Sequence, residues 1–347
     1  MTLRRWTFSA AVGCAVLAAV AAEACTRIVS QTGDGAFITG RSMDWFDDTG
    51  ANLWVFPKGM ARQGSGGDNP FTWTSRYGSV IVGFHDVATA DGMNEAGLVG
   101  NLLYLAEADY GDERRADKPV LSMGGYLQYV LDSFASVDEA VTALEQDAFR
   151  LLAPALPGGK AASIHLSLSD RSGDSAIVEY IDGDLVIHHG PEFKVMTNSP
   201  PFDQQLAIDA YWQEIGGMTM LPGTNRAADR FARASFYVDA IPMADDRRTA
   251  TATVASIMRS VSVPIGIEDP ERPNIATTVY RTISDHAAGR YYFDHALNPG
   301  LFWVDIENLD LSEGAPVLKL DLEGFPILAG EVSAEFQPAE PFEFLSE

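Results

Sequence analysis

The sequence predicts an α+β fold, with antiparallel sheets carrying helices on their outer faces. Strand-like runs cluster at the two ends of the chain and again in its middle, and tight turns rather than helices join many of them. The helical stretches come in separate blocks, and no βαβ alternation of the kind that builds a parallel sheet is visible.

The strand-like block at the start opens with Cys25 to Gln31 and Ala36 to Ser42, which flank Thr32-Gly33-Asp34-Gly35 as a predicted hairpin. Asn52 to Phe56 and Ser79 to Phe84 read as further strands, and Asp91-Gly92 reads as a turn leading into a strand at Leu98 to Tyr104. Leu121 to Phe134 carries apolar residues at helical spacing. A second helix is expected over Val137 to Phe149, because Ser136 with Glu139 three residues on is a capping box. Strands return at Ser163 to Leu168 and Ser175 to Ile181, turn at Asp182-Gly183 into Leu185 to His189, and continue at Lys194 to Thr197. Asp229 to Ile241 and Thr251 to Val261 are predicted helices; Val279 to Ser284, Arg290 to Phe293 and Leu301 to Ile306 are predicted strands.

The first 24 residues read as an export leader. Arg4 and Arg5 supply a positive start, Ala10 to Ala22 is an apolar run too short to span a bilayer comfortably, and Ala22-Glu23-Ala24 fits a cleavage site with small residues at −3 and −1. Three other readings of this segment stay open: an uncleaved anchor, a twin-arginine leader, and a lipoprotein leader, since a cysteine follows the cut. Glu23 fits a lipobox poorly. The expected organisation is therefore a leader at 1–24 and one domain at 25–347, in which no linker-like stretch or internal repeat is found. The expected location is periplasmic or secreted, with no stable membrane anchor.

The formal net charge is −24, with no basic stripe to neutralise phosphates, so a nucleic-acid partner is not expected. An apolar content of 46% is enough for a packed core rather than a disordered chain. Six histidines form no H-x-x-x-H or H-E-x-x-H pattern, and no G-x-S-x-G elbow or P-loop is present, so neither a metal nor another cofactor is expected.

Of the two cysteines, Cys14 lies in the leader, which leaves Cys25 as the first residue and single thiol of the processed chain. A free α-amine titrates near about 7.7–8.0 and a thiol near about 8.5, so an N-terminal cysteine holds nucleophile and general base in one residue. On the neighbouring strand, Arg41 is placed to favour the thiolate and Asp44 to orient the amine. The competing reading makes Cys25 the residue that happens to follow the leader and Arg41 and Asp44 surface charges.

Arg41-Ser42-Met43-Asp44-Trp45 behind Cys25-Thr26-Arg27 resembles the choloylglycine hydrolase family, N-terminal nucleophile hydrolases that include penicillin V acylases and conjugated bile salt hydrolases. The resemblance continues, in family order, at Asp91-Gly92-Met93-Asn94-Glu95-Ala96-Gly97-Leu98, Thr197-Asn198-Ser199-Pro200, Leu221-Pro222-Gly223 and Asp229-Arg230-Phe231. It implies a four-layer αββα sandwich, often assembled as a homotetramer. It also implies that Cys25 is the nucleophile and its amine the base, that Arg41 and Asp44 hold its electrostatics, that Asn198 is an oxyanion donor and that Arg230 stabilises charge. Where bile salt hydrolases carry an asparagine this chain has Tyr104, as penicillin V acylase-like members do. The Tyr104 backbone N–H is then the second oxyanion donor, and its ring, with Trp45, shapes the acyl pocket; ordinary core packing is the alternative for Trp45.

The expected activity is an exported amidase acting on a small-molecule N-acyl amide of the penicillin V or N-acyl homoserine lactone type. Bile salt hydrolysis is the alternative within the family. An inactive exported binding protein, or a lipoprotein anchored at Cys25, is the alternative outside it.

Overall fold

The structure is a computed structural model that describes residues 25–64, 68–156, 159, 162–267 and 275–346. The predicted leader at 1–24 lies outside the described residues.

Two large sheets dominate. One has seven strands, in the spatial order Val195–Met196, Thr26–Gln31, Phe37–Trp45, Thr277–Asp285, Arg290–His295, Phe302–Asp305 and Gly330–Glu331, antiparallel except for the last pair. The other has nine antiparallel strands, ordered Asp184–His189, Ser175–Ile181, Ile164–Ser169, Val99–Tyr104, Ala88–Asn94, Ser79–Phe84, Asn52–Phe56, Leu318–Leu320 and Gln337–Pro338. Below, β1 is Thr26–Gln31, β2 is Phe37–Trp45, β3 is Ala88–Asn94, β4 is Val99–Tyr104 and β5 is Thr277–Asp285.

The helices α1 (Met123–Ser133) and α2 (Val137–Leu144) lie against the nine-stranded sheet; α3 is Phe202–Ile215, and α4 (Ala227–Ala240) and α5 (Arg247–Ser260) cover the seven-stranded one. The resulting order of layers is α, β, β, α, as the family resemblance implies. One apolar cluster, including Ile28, Val80, Val82, Met93 and Phe293, fills the space around the seven-stranded sheet, and a second, including Leu127, Leu131, Leu166 and Val178, fills the space under α1 and α2.

Three sequence expectations are corrected. Asp91-Gly92 is not a turn but the middle of β3; the turn that follows is at Glu95–Gly97, where Asn94 Oδ1 accepts the N–H groups of Ala96 (3.1 Å) and Leu98 (3.0 Å). Gly92 is needed inside the strand because a Cβ there would stand 2.8 Å from Val80 O and 2.9 Å from the Leu131 side chain. The stretch Leu121–Phe134 also splits: Val120–Ser122 is a short strand, and α1 starts at Met123 with the Ser122 hydroxyl capping Gly124 N–H. Helix α3 was not anticipated, and α2 stops at Leu144 instead of Phe149. Asp147 has a positive φ of 48°, which ends helical geometry there.

Candidate active site

The register of β1 against β2 pairs Thr26 with Ser42 and Arg27 with Arg41. Alternation along β2 then sends Arg41 and Met43 toward the nine-stranded sheet and Ser42 and Asp44 toward the helical layer. Cys25 lies one residue before β1, with its sulfur near Arg41, Met43 and the Asp44 main chain.

The Cys25 sulfur accepts the backbone N–H of Asp44 at 3.4 Å and lies 3.9 Å from Arg41 Nη2 and 4.0 Å from Met43 Sδ. Burial pushes the thiol pKa up; Arg41, the Asp44 N–H and Arg230 pull it down, and the Asp44 carboxylate adds to the rise. The balance favours a protonated thiol, so a base is needed to make the thiolate. Asp44 thus touches the sulfur through its main chain. Its carboxylate is held elsewhere, accepting the hydroxyls of Thr278 and, at 3.4 Å, Ser42. Burial raises that carboxyl to about 6, against the opposing pull of Arg230 and Thr278. Thr278 reaches it because β5 bulges between Thr278 and Tyr280, which changes register opposite Met43 and Asp44.

Arg41 is fully buried. Its Nη2 donates to Leu102 O at 2.9 Å, its Nε lies 3.6 Å from the Asp91 carboxylate, and its guanidinium sits 5.3 Å from the Tyr280 ring centre. Burial disfavours its charge, but Tyr280, Cys25 and Asp91 together hold it above the ordinary arginine value. Asp91 is itself fixed by Asn101 Nδ2 (3.0 Å), Thr282 Oγ1 (3.0 Å) and the Tyr291 hydroxyl.

Arg230, from α4, joins the parts. It donates to Cys25 O at 2.5 Å, Thr26 Oγ1 at 2.6 Å, Asn198 Oδ1 at 2.8 Å and Asn225 O at 3.0 Å. Burial lowers its pKa to about 10, with Asp44 and Cys25 acting in the other direction. Because Arg230 can only donate, the oxygen of the Asn198 amide must face it, and Nδ2 faces Tyr104 O at 2.8 Å. An amide nitrogen carries two N–H donors, and Tyr104 O takes one of them. The Asn198 segment is pinned on both sides: His165 Nε2 is 2.8 Å from Thr197 O, and Glu179, 2.8 Å from His165 Nδ1, accepts the Phe202 N–H at the start of α3. Gln205 Nε2 adds bonds to Asn198 O and, at 2.7 Å, Pro200 O.

Beside the sulfur opens a cavity whose walls include Trp45, Phe84, Leu102, Tyr104, Met123 and Ile164. Trp45 packs edge-on to Phe84 at 5.6 Å and to Tyr104 at 6.4 Å. Trp45 is buried in the core and also lines the cavity.

All seven candidate residues, Cys25, Arg41, Asp44, Trp45, Tyr104, Asn198 and Arg230, converge on this one region. Sequence reasoning gave no role to Asp91, Thr278, Tyr280, His165, Glu179 or Gln205. Asp91 had a visible signal, a carboxylate inside a block already singled out, but reading it as a turn residue hid it.

The profile of the linear amide C–N hydrolases, choloylglycine hydrolase family, matches residues 25–321, so the match begins at Cys25. The chain is 49% identical to the penicillin V acylase of Pectobacterium atrosepticum, over 92% of each chain. It is 27% identical to a bile salt hydrolase/transferase of Clostridium perfringens, over 83% of this chain and 95% of that one. Among solved structures, penicillin V acylase from Agrobacterium tumefaciens superposes with a TM-score of 0.87 at 52% identity, covering 93% of this chain and all of that one. A mutant conjugated bile acid hydrolase from Clostridium perfringens superposes with a TM-score of 0.71 at 22% identity, covering 93% of this chain and 98% of that one, a likeness of fold.

Proposed function

The chain belongs to the linear amide C–N hydrolases of the choloylglycine hydrolase family, and on that premise we propose that it is an exported amidase, periplasmic or secreted, whose nucleophile is Cys25. The observation that carries the proposal is the position of the Cys25 sulfur, on the wall of an apolar cavity yet bonded to the Asp44 N–H and facing Arg41.

In the full-length chain the nitrogen of residue 25 is a peptide nitrogen and takes no proton. Removal of residues 1–24 turns it into an amine next to a thiol that burial keeps protonated. The amine accepts the thiol proton as sulfur attacks the amide carbonyl carbon. The carbonyl oxygen becomes an oxyanion, received by the second N–H of Asn198 and the Tyr104 backbone N–H. As the tetrahedral intermediate collapses, the C–N bond breaks and the protonated α-amine gives its proton to the departing nitrogen. A water, deprotonated by the same amine, then attacks the thioester carbonyl, and the C–S bond breaks to release the acid and restore the thiol. Arg41 opposes the cost of negative charge on sulfur. Arg230 fixes the Cys25 carbonyl and the Asn198 amide in one frame.

The cavity favours an apolar acyl group, phenoxyacetyl or a fatty chain, so penicillin V and N-acyl homoserine lactones are the proposed substrate types. Tyr104 and Trp45 take up room on the acyl side, and the likeness to penicillin V acylases is closer than that to the bile salt hydrolases named above. A panel of penicillin V, long-chain acyl homoserine lactones and glycocholate tests this reading. One of the first two is expected to give the highest kcat/KM, and glycocholate as the best substrate would reverse the assignment. Turnover by a processed Cys25→Ala protein would remove the covalent step.

A further inference from the structure

The family match stops at residue 321, yet the chain returns to the cavity 24 residues later. After Gln337–Pro338 closes the edge of the nine-stranded sheet, the segment Pro341-Phe342-Glu343-Phe344-Leu345 alternates exposed and half-buried side chains up to Phe344. Phe342 packs against Trp54 at 5.2 Å and Phe56 at 5.6 Å; Phe344 stacks with Trp73 at 6.2 Å and lies under the Arg62 guanidinium at 5.8 Å. The Leu345 N–H then donates to Val87 O at 2.8 Å, beside the start of β3. The half-buried Leu345 is a lining residue of the cavity that also exposes the Cys25 sulfur.

The start of α1 is shaped to admit this segment. A Cβ on Gly124 would stand 2.6 Å from Val87 O and 3.2 Å from the Leu345 nitrogen, and one on Gly125 would stand 3.1 Å from the Phe344 ring. Two consecutive glycines at the head of a helix are costly for helix formation, and here they make room for backbone and ring to approach.

We propose that Leu345 is a specificity-determining residue, a wall of the acyl pocket supplied by the C-terminal segment, which sets how long an acyl chain the pocket takes. The inference rests on the acyl-transfer reading above for the identity of the ligand. The aromatic anchors at Phe342 and Phe344 fix the wall, and the main-chain bond to Val87 O fixes its depth. Chain length is then read by a side chain that lies outside the family match.

Binding is measured in processed Cys25→Ala protein, which holds acyl amides without cleaving them, using hexanoyl, decanoyl and tetradecanoyl homoserine lactones. The same series is run with Leu345→Ala and with Leu345→Trp in that background. A side chain that walls the pocket shifts the ratio of affinities, tetradecanoyl to hexanoyl, upward by about tenfold in the alanine protein and downward by about tenfold in the tryptophan protein, the scale on which a hydrophobic pocket reads a methylene or two. Opposite shifts from one position are not produced by misfolding, which weakens all ligands together. An unchanged ratio in both variants, or a parallel loss for every chain length, overturns the proposal. Failure of the amidase reading shows separately, as absence of turnover by the Cys25 protein on the same compounds.

Discussion

The protonation of the Cys25 thiol is set by a contest between burial and neighbouring charge, and each partner in the proposed mechanism has a consequence that can be measured. Asn198 has its oxygen held by Arg230 and one N–H spent on Tyr104 O, so the geometry of its remaining donor is set before substrate arrives. Asn198→Ala is expected to lower kcat by about 10²–10³ with a smaller change in KM, the usual effect of losing an oxyanion donor; a change confined to KM would assign Asn198 to ground-state binding. Asp44 gives a pH prediction. Burial raises its carboxyl to about 6, with Arg230 among the groups that oppose the rise, so it loses its charge as pH falls through that value. If the carboxylate form supports turnover, kcat/KM drops on the acid side near pH 6. Removing the Arg230 charge with Arg230→Gln takes away a restraint, so the same limb should move to higher pH as overall rate falls. A limb that stays in place separates Asp44 from the titration.

Strand β2 is the element on which the site depends, since within nine residues it presents Arg41, Asp44 and Trp45 while Gly40 lets α5 approach. A Cβ at Gly40 would stand 2.7 Å from Val254 Cγ1 and 2.8 Å from Met258 Cγ. Gly40→Val is therefore expected to destabilise the fold by about 1–3 kcal/mol, measured by urea unfolding, because overpacked cores must move backbone or leave rotamer minima; an unaltered midpoint would mean that α5 shifts freely on the sheet. The hairpin of β1 and β2 was legible because turn residues separate two alternating runs, and it brings the proposed nucleophile, the arginine and the carboxylate together. Strand β3 was not legible: Asp-Gly is a strong local turn signal, and only the long-range partners Arg41, Tyr291 and Leu131 explain why those residues sit inside a sheet. Helix α3 escaped for a related reason. Its apolar face is weakly periodic, with buried Gln205 and Asp209 among its inward residues, and Gln205 is used to hold the Asn198 segment. Local pattern located the candidate reacting groups, then, but not the residues that hydrogen-bond to them.

Taken as a whole, the molecule buries polar and charged side chains on the strands of its two sheets. Arg27, Arg41, Asp91, Asn101, Ser169 and His286 are all buried. His286 has Nδ1 2.8 Å from Gly97 O and Nε2 2.8 Å from Thr39 Oγ1. Burial lowers its pKa to about 4, only partly offset by the bond to Gly97 O. An unfolded histidine binds its proton near about 6.5, so the unfolded state takes up more protons than the native one between those values. The stabilisation is complete above pH 6.5 and is lost as pH falls toward 4, an effect of about 3 kcal/mol. His286→Gln is expected to flatten that part of the stability profile even if it lowers stability at pH 7.5; an unchanged slope would assign the acid sensitivity to other groups. The same two-sheet frame holds the Cys25 main chain beside Arg230 and its sulfur beside Arg41, and the proposed mechanism adds to this frame a base carried by residue 25 itself. The most direct test is the intact mass and N-terminal sequence of the exported, catalytically active protein. The account predicts a chain that begins at Cys25 with an unmodified amine; activity in a protein that starts at any other residue, or whose first nitrogen is acylated, would contradict it.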